Sequence, residues 1–271
     1  MNSFSFSSGN ATLAAESDGS GQPLICLHAG VADKRMWRNQ LHAFNSTHQV
    51  IAYDRREFGD TTSPDEPFRH MDDLAELIAV QQLSSPVLLG CSQGGRIAID
   101  FALANPGVAA ALILISTALS GAPTPEAPDD IQELIDALDA AEERQDNETV
   151  NQIEAHMWLD GPRQNRGRVG GDMRTLFLDM NGCALDHAPL YAEQDPPDAI
   201  PHLQQLTLPI LLMHGALDFP HVLARHRGLA ERWPHAETIE IADCAHLPSL
   251  EQPDVVNQHI KAFLDQHELS H

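Results

Sequence analysis

Three residues far apart in the chain, Ser92, Asp218 and His246, are of the types that together activate an oxygen nucleophile. A serine hydroxyl attacks poorly until a base takes its proton, and the base needs an acid to orient it. Ser92 sits in Gly90-Cys91-Ser92-Gln93-Gly94, between the apolar run Pro86-Val87-Leu88-Leu89 and a helical pattern over 95–104 that stops at Asn105-Pro106-Gly107. A serine with glycine two residues away on each side, pinned between a buried strand and a helix, is the pattern of a nucleophile elbow. The turn strains the serine backbone, and only small neighbours avoid a clash. The hydroxyl then stands at the strand's C-terminal edge, where the helix N-terminus favours the negative charge that catalysis creates. The plain alternative is a tight turn carrying an inert serine.

The downstream residues argue against that alternative. Asp218 follows the apolar run 209–213 and the turn His214-Gly215-Ala216-Leu217, and His246 follows the strand-like segment 237–241. All three residues lie just past the end of a predicted strand, in the order serine, acid, histidine expected for such a sheet. Two other acids compete for the histidine. Asp243 is three positions from His246 on the same loop and would struggle to reach the far ring nitrogen. Asp54 ends a different predicted strand.

The elements that must hold these residues alternate. Strands are predicted over 23–27, 49–53, 86–89, 110–116, 209–213 and 237–241, with 11–16 and its Asp18-Gly19-Ser20-Gly21 turn as part of an edge hairpin. Helices are predicted over 34–44, 70–82, 96–104, 220–232 and 252–266. Such alternation predicts an α/β fold with a mainly parallel sheet covered on both faces. Residues 119–201 break the rhythm. They open in Gly121-Ala122-Pro123-Thr124-Pro125, show no convincing strand, and close at Pro196-Pro197 and Pro201. Asp130 ahead of Ile131-Gln132-Glu133 reads as a helix start, Ile131, Leu134, Ile135 and Leu138 form a buried stripe, and a second helix is predicted over 148–159. This segment reads as a helical insertion, with 1–118 and 202–271 as the core.

With these residues in view the chain resembles the α/β-hydrolase fold family over nearly its whole length. Besides the elbow, acid and histidine loops, Leu24-Ile25-Cys26-Leu27-His28-Ala29-Gly30 is similar to the strand and His-Gly turn that supply half of the family's oxyanion hole. Tyr53-Asp54-Arg55-Arg56-Glu57-Phe58-Gly59 is similar to the family's Tyr-Asp-x-Arg-Gly-x-Gly segment, in which an Asp at this place pairs locally. Glu57 departs from it, so that loop is not expected to use a glycine-only conformation. The resemblance implies an eight-stranded-type sheet with residues 119–201 as a cap over Ser92, and no metal or organic cofactor. It implies a serine hydrolase cleaving a compact carboxylic ester or lactone through an acyl-enzyme. Gln93 would give one oxyanion N–H, and the Ala29-Gly30-Val31 turn the other, with Gly30 taken first. Ala29, Val31, Met157 and Trp158 are the expected pocket residues. The same framework also supports enol-lactone hydrolysis, carbon–carbon cleavage of diketone-like acids, cofactor-free perhydrolysis, and a non-catalytic small-molecule receptor.

Bulk properties limit partners. A net charge of −23 argues against nucleic acid and anionic membrane surfaces. The acidic surface, with Lys34 and Lys261 the sole lysines, suits either adaptation to salt or simple solubility. No apolar run reaches membrane-spanning length, and no signal peptide is visible, so a cytoplasmic location is expected. Cys26, Cys91, Cys183 and Cys244 have no metal spacing and read as free thiols. The 15 histidines include no H-E-x-x-H, and His28 and His214 read as structural. Four arginines, Arg163, Arg166, Arg168 and Arg174, crowd into twelve positions of the insertion. They are expected to face water and pair with surface acids.

Overall fold

The computed structural model describes residues 1–123 and 126–270; Thr124 and Pro125 of the proline-rich linker lie outside them. Eight strands form one sheet: β1 (Asn2–Ser8), β2 (Ala11–Asp18), β3 (Gln22–Leu27), β4 (His48–Tyr53), β5 (Val87–Cys91), β6 (Ala111–Ile115), β7 (Ile210–Gly215) and β8 (Glu237–Ile241). Their order is β1-β2-β4-β3-β5-β6-β7-β8, antiparallel through β2 and parallel from β4 to β8.

The central strands are unbroken apolar runs because both faces are buried. Along β3, Leu24 and Cys26 enter one core and Ile25 and Leu27 the other; Leu211 and Leu212 split the same way on β7. Helices α1 (Arg38–Phe44) and α9 (Pro253–Gln266) cover the first face. Helices α2 (His70–Val80), α3 (Gln93–Ala104) and α7 (Pro220–Arg232) cover the second.

The amino end differs from the expected hairpin. Residues 11–16 do not pair with β3. They lie between β1 and β4, and Ser3-Phe4-Ser5-Phe6 is the missing edge strand. Its serines hide a strand, but the alternation puts Phe6 into the core, edge-on to Tyr53 at 5.6 Å.

Between β6 and β7 the chain is helical: α4 (Asp129–Glu143), α5 (Asn147–Glu154), a π-helical turn (Ala155–Asp160) and α6 (Gly171–Asp186). The second expected helix thus widens into a π turn after Glu154. Helix α6 was not expected, because Asn181 and Gly182 are poor helix formers. It is held by the buried face of Phe177, Met180 and Asn181. Ile131, Val150, Ile153 and Met157 make a small core with Phe219 and Val222, and Leu134, Ile135 and Leu138 pack against it. A short α8 (Pro248–Glu251) precedes α9. No helix among the described residues is long and apolar enough to cross a membrane.

Candidate active site

Strands β5, β7 and β8 end on the same side of the sheet, and the three chemical residues follow them. Ser92 stands at φ 52° and ψ −115°, outside the regions an L-residue prefers. Its N–H donates to the Ile115 carbonyl at 2.8 Å, and its carbonyl accepts from Gly95 and Ala118, each at 3.0 Å. These bonds hold a conformation that costs on the order of 1–3 kcal/mol. The flanking glycines are steric necessities: a side chain at Gly90 would strike the Gly94 carbonyl, and one at Gly94 would strike Leu27 of the next strand.

His246 points its Nδ1 at Asp218, 2.8 Å from Oδ2 and 3.0 Å from Oδ1. Burial pushes the Asp218 carboxyl up, but the His246 charge, its hydrogen bond and the Phe219 N–H (2.7 Å) outweigh this and leave its pKa below the ordinary value. An ionised Asp218 fixes the proton on Nδ1 and leaves Nε2 free to act as a base. Neither rival acid touches the ring. Asp54 is spent on Lys34 Nζ (2.6 Å) and the N–H groups of Lys34 and Asp60. Asp243 is exposed, and its backbone carbonyl accepts from Arg168.

Ser92 and His246 line one cavity of about 330 Å³, whose wall includes Gly30, Val31, Gln93 and Trp158. The Trp158 ring lies 4.7 Å from the His246 ring, and its carbonyl accepts the His246 N–H at 3.2 Å. The N–H groups of Gly30, Val31 and Gln93 have no acceptor among the described residues. Two expected pocket residues are elsewhere. Ala29 is fully buried; its N–H meets Met36 Sδ and its carbonyl takes bonds from His28 and Arg55. Met157 packs into the core of α4 and α5, because adjacent helical residues face different sides.

Other expectations meet a mixed outcome. His28 bonds the Ala29 carbonyl through Nδ1 (2.8 Å) and accepts the Arg55 N–H at 3.0 Å through Nε2, as a structural histidine would. Glu57 takes φ 70° after all, the glycine-like conformation, at a cost of about 1–2 kcal/mol; its carboxylate accepts the Leu190 N–H at 2.6 Å. Arg163 pairs with exposed Asp130 as expected. Arg166 is exposed, whereas Arg168 and Arg174 are half-buried. Arg174 bonds the buried Asp160 (2.9 Å), and Arg168 bonds the carboxylate of Glu251 and the carbonyls of Leu159, Asp160 and Asp243. Among the described residues, no three His, Cys, Asp or Glu side chains gather as a metal site.

The model of the alpha/beta hydrolase family matches residues 24–259. This chain belongs to the alpha/beta hydrolase family. It is 26% identical over 234 residues to 3-oxoadipate enol-lactonase 2 of Acinetobacter baylyi, covering 84% of this chain and 83% of that one. It is 25% identical over 267 residues to a pimeloyl-[acyl-carrier protein] methyl ester esterase of Nitrosospira multiformis, covering 94% and 99%. The malate-bound structure of a thermophilic esterase from Thermogutta terrifontis superposes with a TM-score of 0.78 at 24% identity, covering 98% of this chain and 99% of that one, and shares the fold.

In this family member, sequence reasoning missed Glu154, His221 and Arg225, which also line the cavity. Arg225 stands on α7, and nothing in the sequence says which face of that helix turns toward the serine.

Proposed function

We propose that the protein is a serine hydrolase acting on a compact carboxylic ester or lactone. The observation that carries this reading is one cavity lined by a strained elbow serine and by a histidine whose far nitrogen is bonded to a buried carboxylate. Ser92 Oγ attacks the acyl carbon while His246 Nε2 takes its proton, and Asp218 stabilises the imidazolium. The N–H groups of Gln93 and Gly30 stabilise the oxyanion; in support, neither has an acceptor among the described residues. The intermediate then collapses, His246 gives its proton to the departing alkoxide or enolate, and water cleaves the acyl-enzyme with His246 again as base.

Residues 119–201 serve as a cap over a core of 1–118 and 202–271; in support, Glu154 and Trp158 of that segment form part of the cavity wall. A volume near 330 Å³ is at the small end for ligand pockets, which supports compact substrates. The relatives named for a lactone and a methyl ester fit this class. Four free cysteines suit a reducing cytoplasm. The test is a hydrolysis screen over p-nitrophenyl esters of graded acyl length and a set of lactones. Short acyl esters or small lactones should turn over best. Turnover of long acyl chains alone would contradict the assigned class.

A further inference from the structure

The cavity holding Ser92 and His246 also contains a cation. Arg225 stands on α7 and lines the wall with His221 and Val222 of the same helix. His221, Arg225, Gly228 and Arg232 share one helical face, and that face also lines a second cavity of about 300 Å³ beside residues 119–123. His221 and Arg225 belong to both walls.

Arg225 donates from Nη1 to the Thr117 carbonyl at 3.2 Å, and no carboxylate of the described residues lies within 4 Å of it. The other partly buried arginines are differently placed. Arg35, Arg56, Arg69, Arg96, Arg168 and Arg174 each meet a carboxylate. Arg55 is spent on the Gln93 side chain and the Ala29 carbonyl. In a chain with 39 acidic and 16 basic residues, a carboxylate partner for Arg225 would be easy to supply. Burial makes its charge costly and lowers its pKa, with Asp218 opposing this through space. Most of its five N–H donors remain unspent.

The neighbours leave room for an anion. Burial, then Arg225, pushes His221 down to about 4, so it is neutral near pH 7. Glu154 is the acidic member of the wall, and its carboxylate accepts from Asn181 Nδ2 at 2.6 Å. The molecule as a whole repels anions at −23, so a local guanidinium is the feature that would admit one.

We propose that Arg225 is an anion subsite of the catalytic cavity, and that the substrate is an ester or lactone carrying a carboxylate, which the guanidinium grips while Ser92 attacks the acyl carbon. This rests on the serine-hydrolase reading above. The cavity's size requires both groups in one small molecule, with the carboxylate on either the acyl or the alcohol side.

The test compares kcat/KM for two matched pairs: ethyl hydrogen glutarate against ethyl valerate, and the butyrate ester of glycolic acid against ethyl butyrate. Wild type, Arg225→Gln and Arg225→Lys are measured together. One acidic ester should exceed its neutral partner by roughly 10- to 100-fold, the range of a hydrogen bond to a charged group. The pair that shows it tells which side carries the carboxylate. Arg225→Gln should abolish the advantage, and Arg225→Lys should keep part of it, since the charge stays and the planar fork is lost. Glutarate inhibition of ethyl butyrate hydrolysis gives a binding readout on wild type alone, and it should weaken in Arg225→Gln. The proposal is overturned if wild type favours the neutral esters and glutarate does not inhibit, or if the acid preference survives in Arg225→Gln. Those outcomes leave neutral-ester hydrolysis standing. If no ester turns over and a phosphonate leaves Ser92 unlabelled, the serine-hydrolase reading fails and the subsite falls with it.

Discussion

Ser92, at φ 52°, joins backbone strain to the role proposed for it. The positions of Ser92, Asp218 and His246 were legible in the sequence because each follows a predicted strand, an apolar run for the serine and the acid and the alternating segment 237–241 for the histidine. Asp218 was separable from Asp243 by reach alone, and the structure has Asp218 2.8 Å from His246 Nδ1 while Asp243 is exposed. Asp218→Asn should therefore lower kcat by about 10⁴, the effect of holding the wrong imidazole tautomer, with Asp243→Asn close to wild type. Steady-state kinetics with equal losses, or the larger loss at Asp243, would show that another carboxylate orients the ring. Arg225 was not legible, because nothing in the string says which face of α7 turns toward the serine.

At the scale of elements, the π-helical turn Ala155–Asp160 is joined to the histidine loop by more than Trp158. Arg168 spans the carbonyls of Leu159 and Asp160 on one side and of Asp243 on the other, and meets Glu251, whose other oxygen accepts the Ala245 N–H at 2.8 Å. Reading Arg168 and Arg174 as surface charges failed because their partners, Glu251 and Asp160, come from separate stretches of chain that meet only in the fold. The β-α alternation was legible from periodicity, whereas β1 and α6 were masked by serines and by Asn181-Gly182. Burial raises the Glu251 carboxyl from 4.5 to about 7 despite Arg168. The native state then keeps a proton that the unfolded chain has lost, so this stability is present below pH 4.5 and is lost as pH rises through about 7. Glu251→Gln cannot titrate, and its Tm should fall less than that of wild type between pH 4.5 and 7. Asp100, raised to about 6 by burial, leaves a residual slope. Identical Tm–pH profiles would remove Glu251 as the titrating group.

The whole molecule carries −23 on 271 residues, mostly outside the pairs described above. Self-repulsion of this kind opposes compaction and is screened over about 3 Å at 1 M salt. Tm should rise between low salt and about 1 M sodium chloride. A flat or falling Tm would leave solubility as the sole reason for the acidity. The overall architecture was the most legible level, since continuous apolar runs on five strands demand cover on both faces. The cavity was the least legible, since it is built from six separate stretches of chain, among them 30–31, 92–93 and 221–225.

The central claim is that Ser92 is the nucleophile. It is tested most directly by treating the folded protein with a fluorophosphonate and locating the adduct by mass spectrometry. One phosphonyl group per chain on the peptide containing Ser92, with no adduct on folded Ser92→Ala, is the expected result. A folded wild-type protein that takes no label, or takes it on another residue to the same extent in Ser92→Ala, would contradict the account.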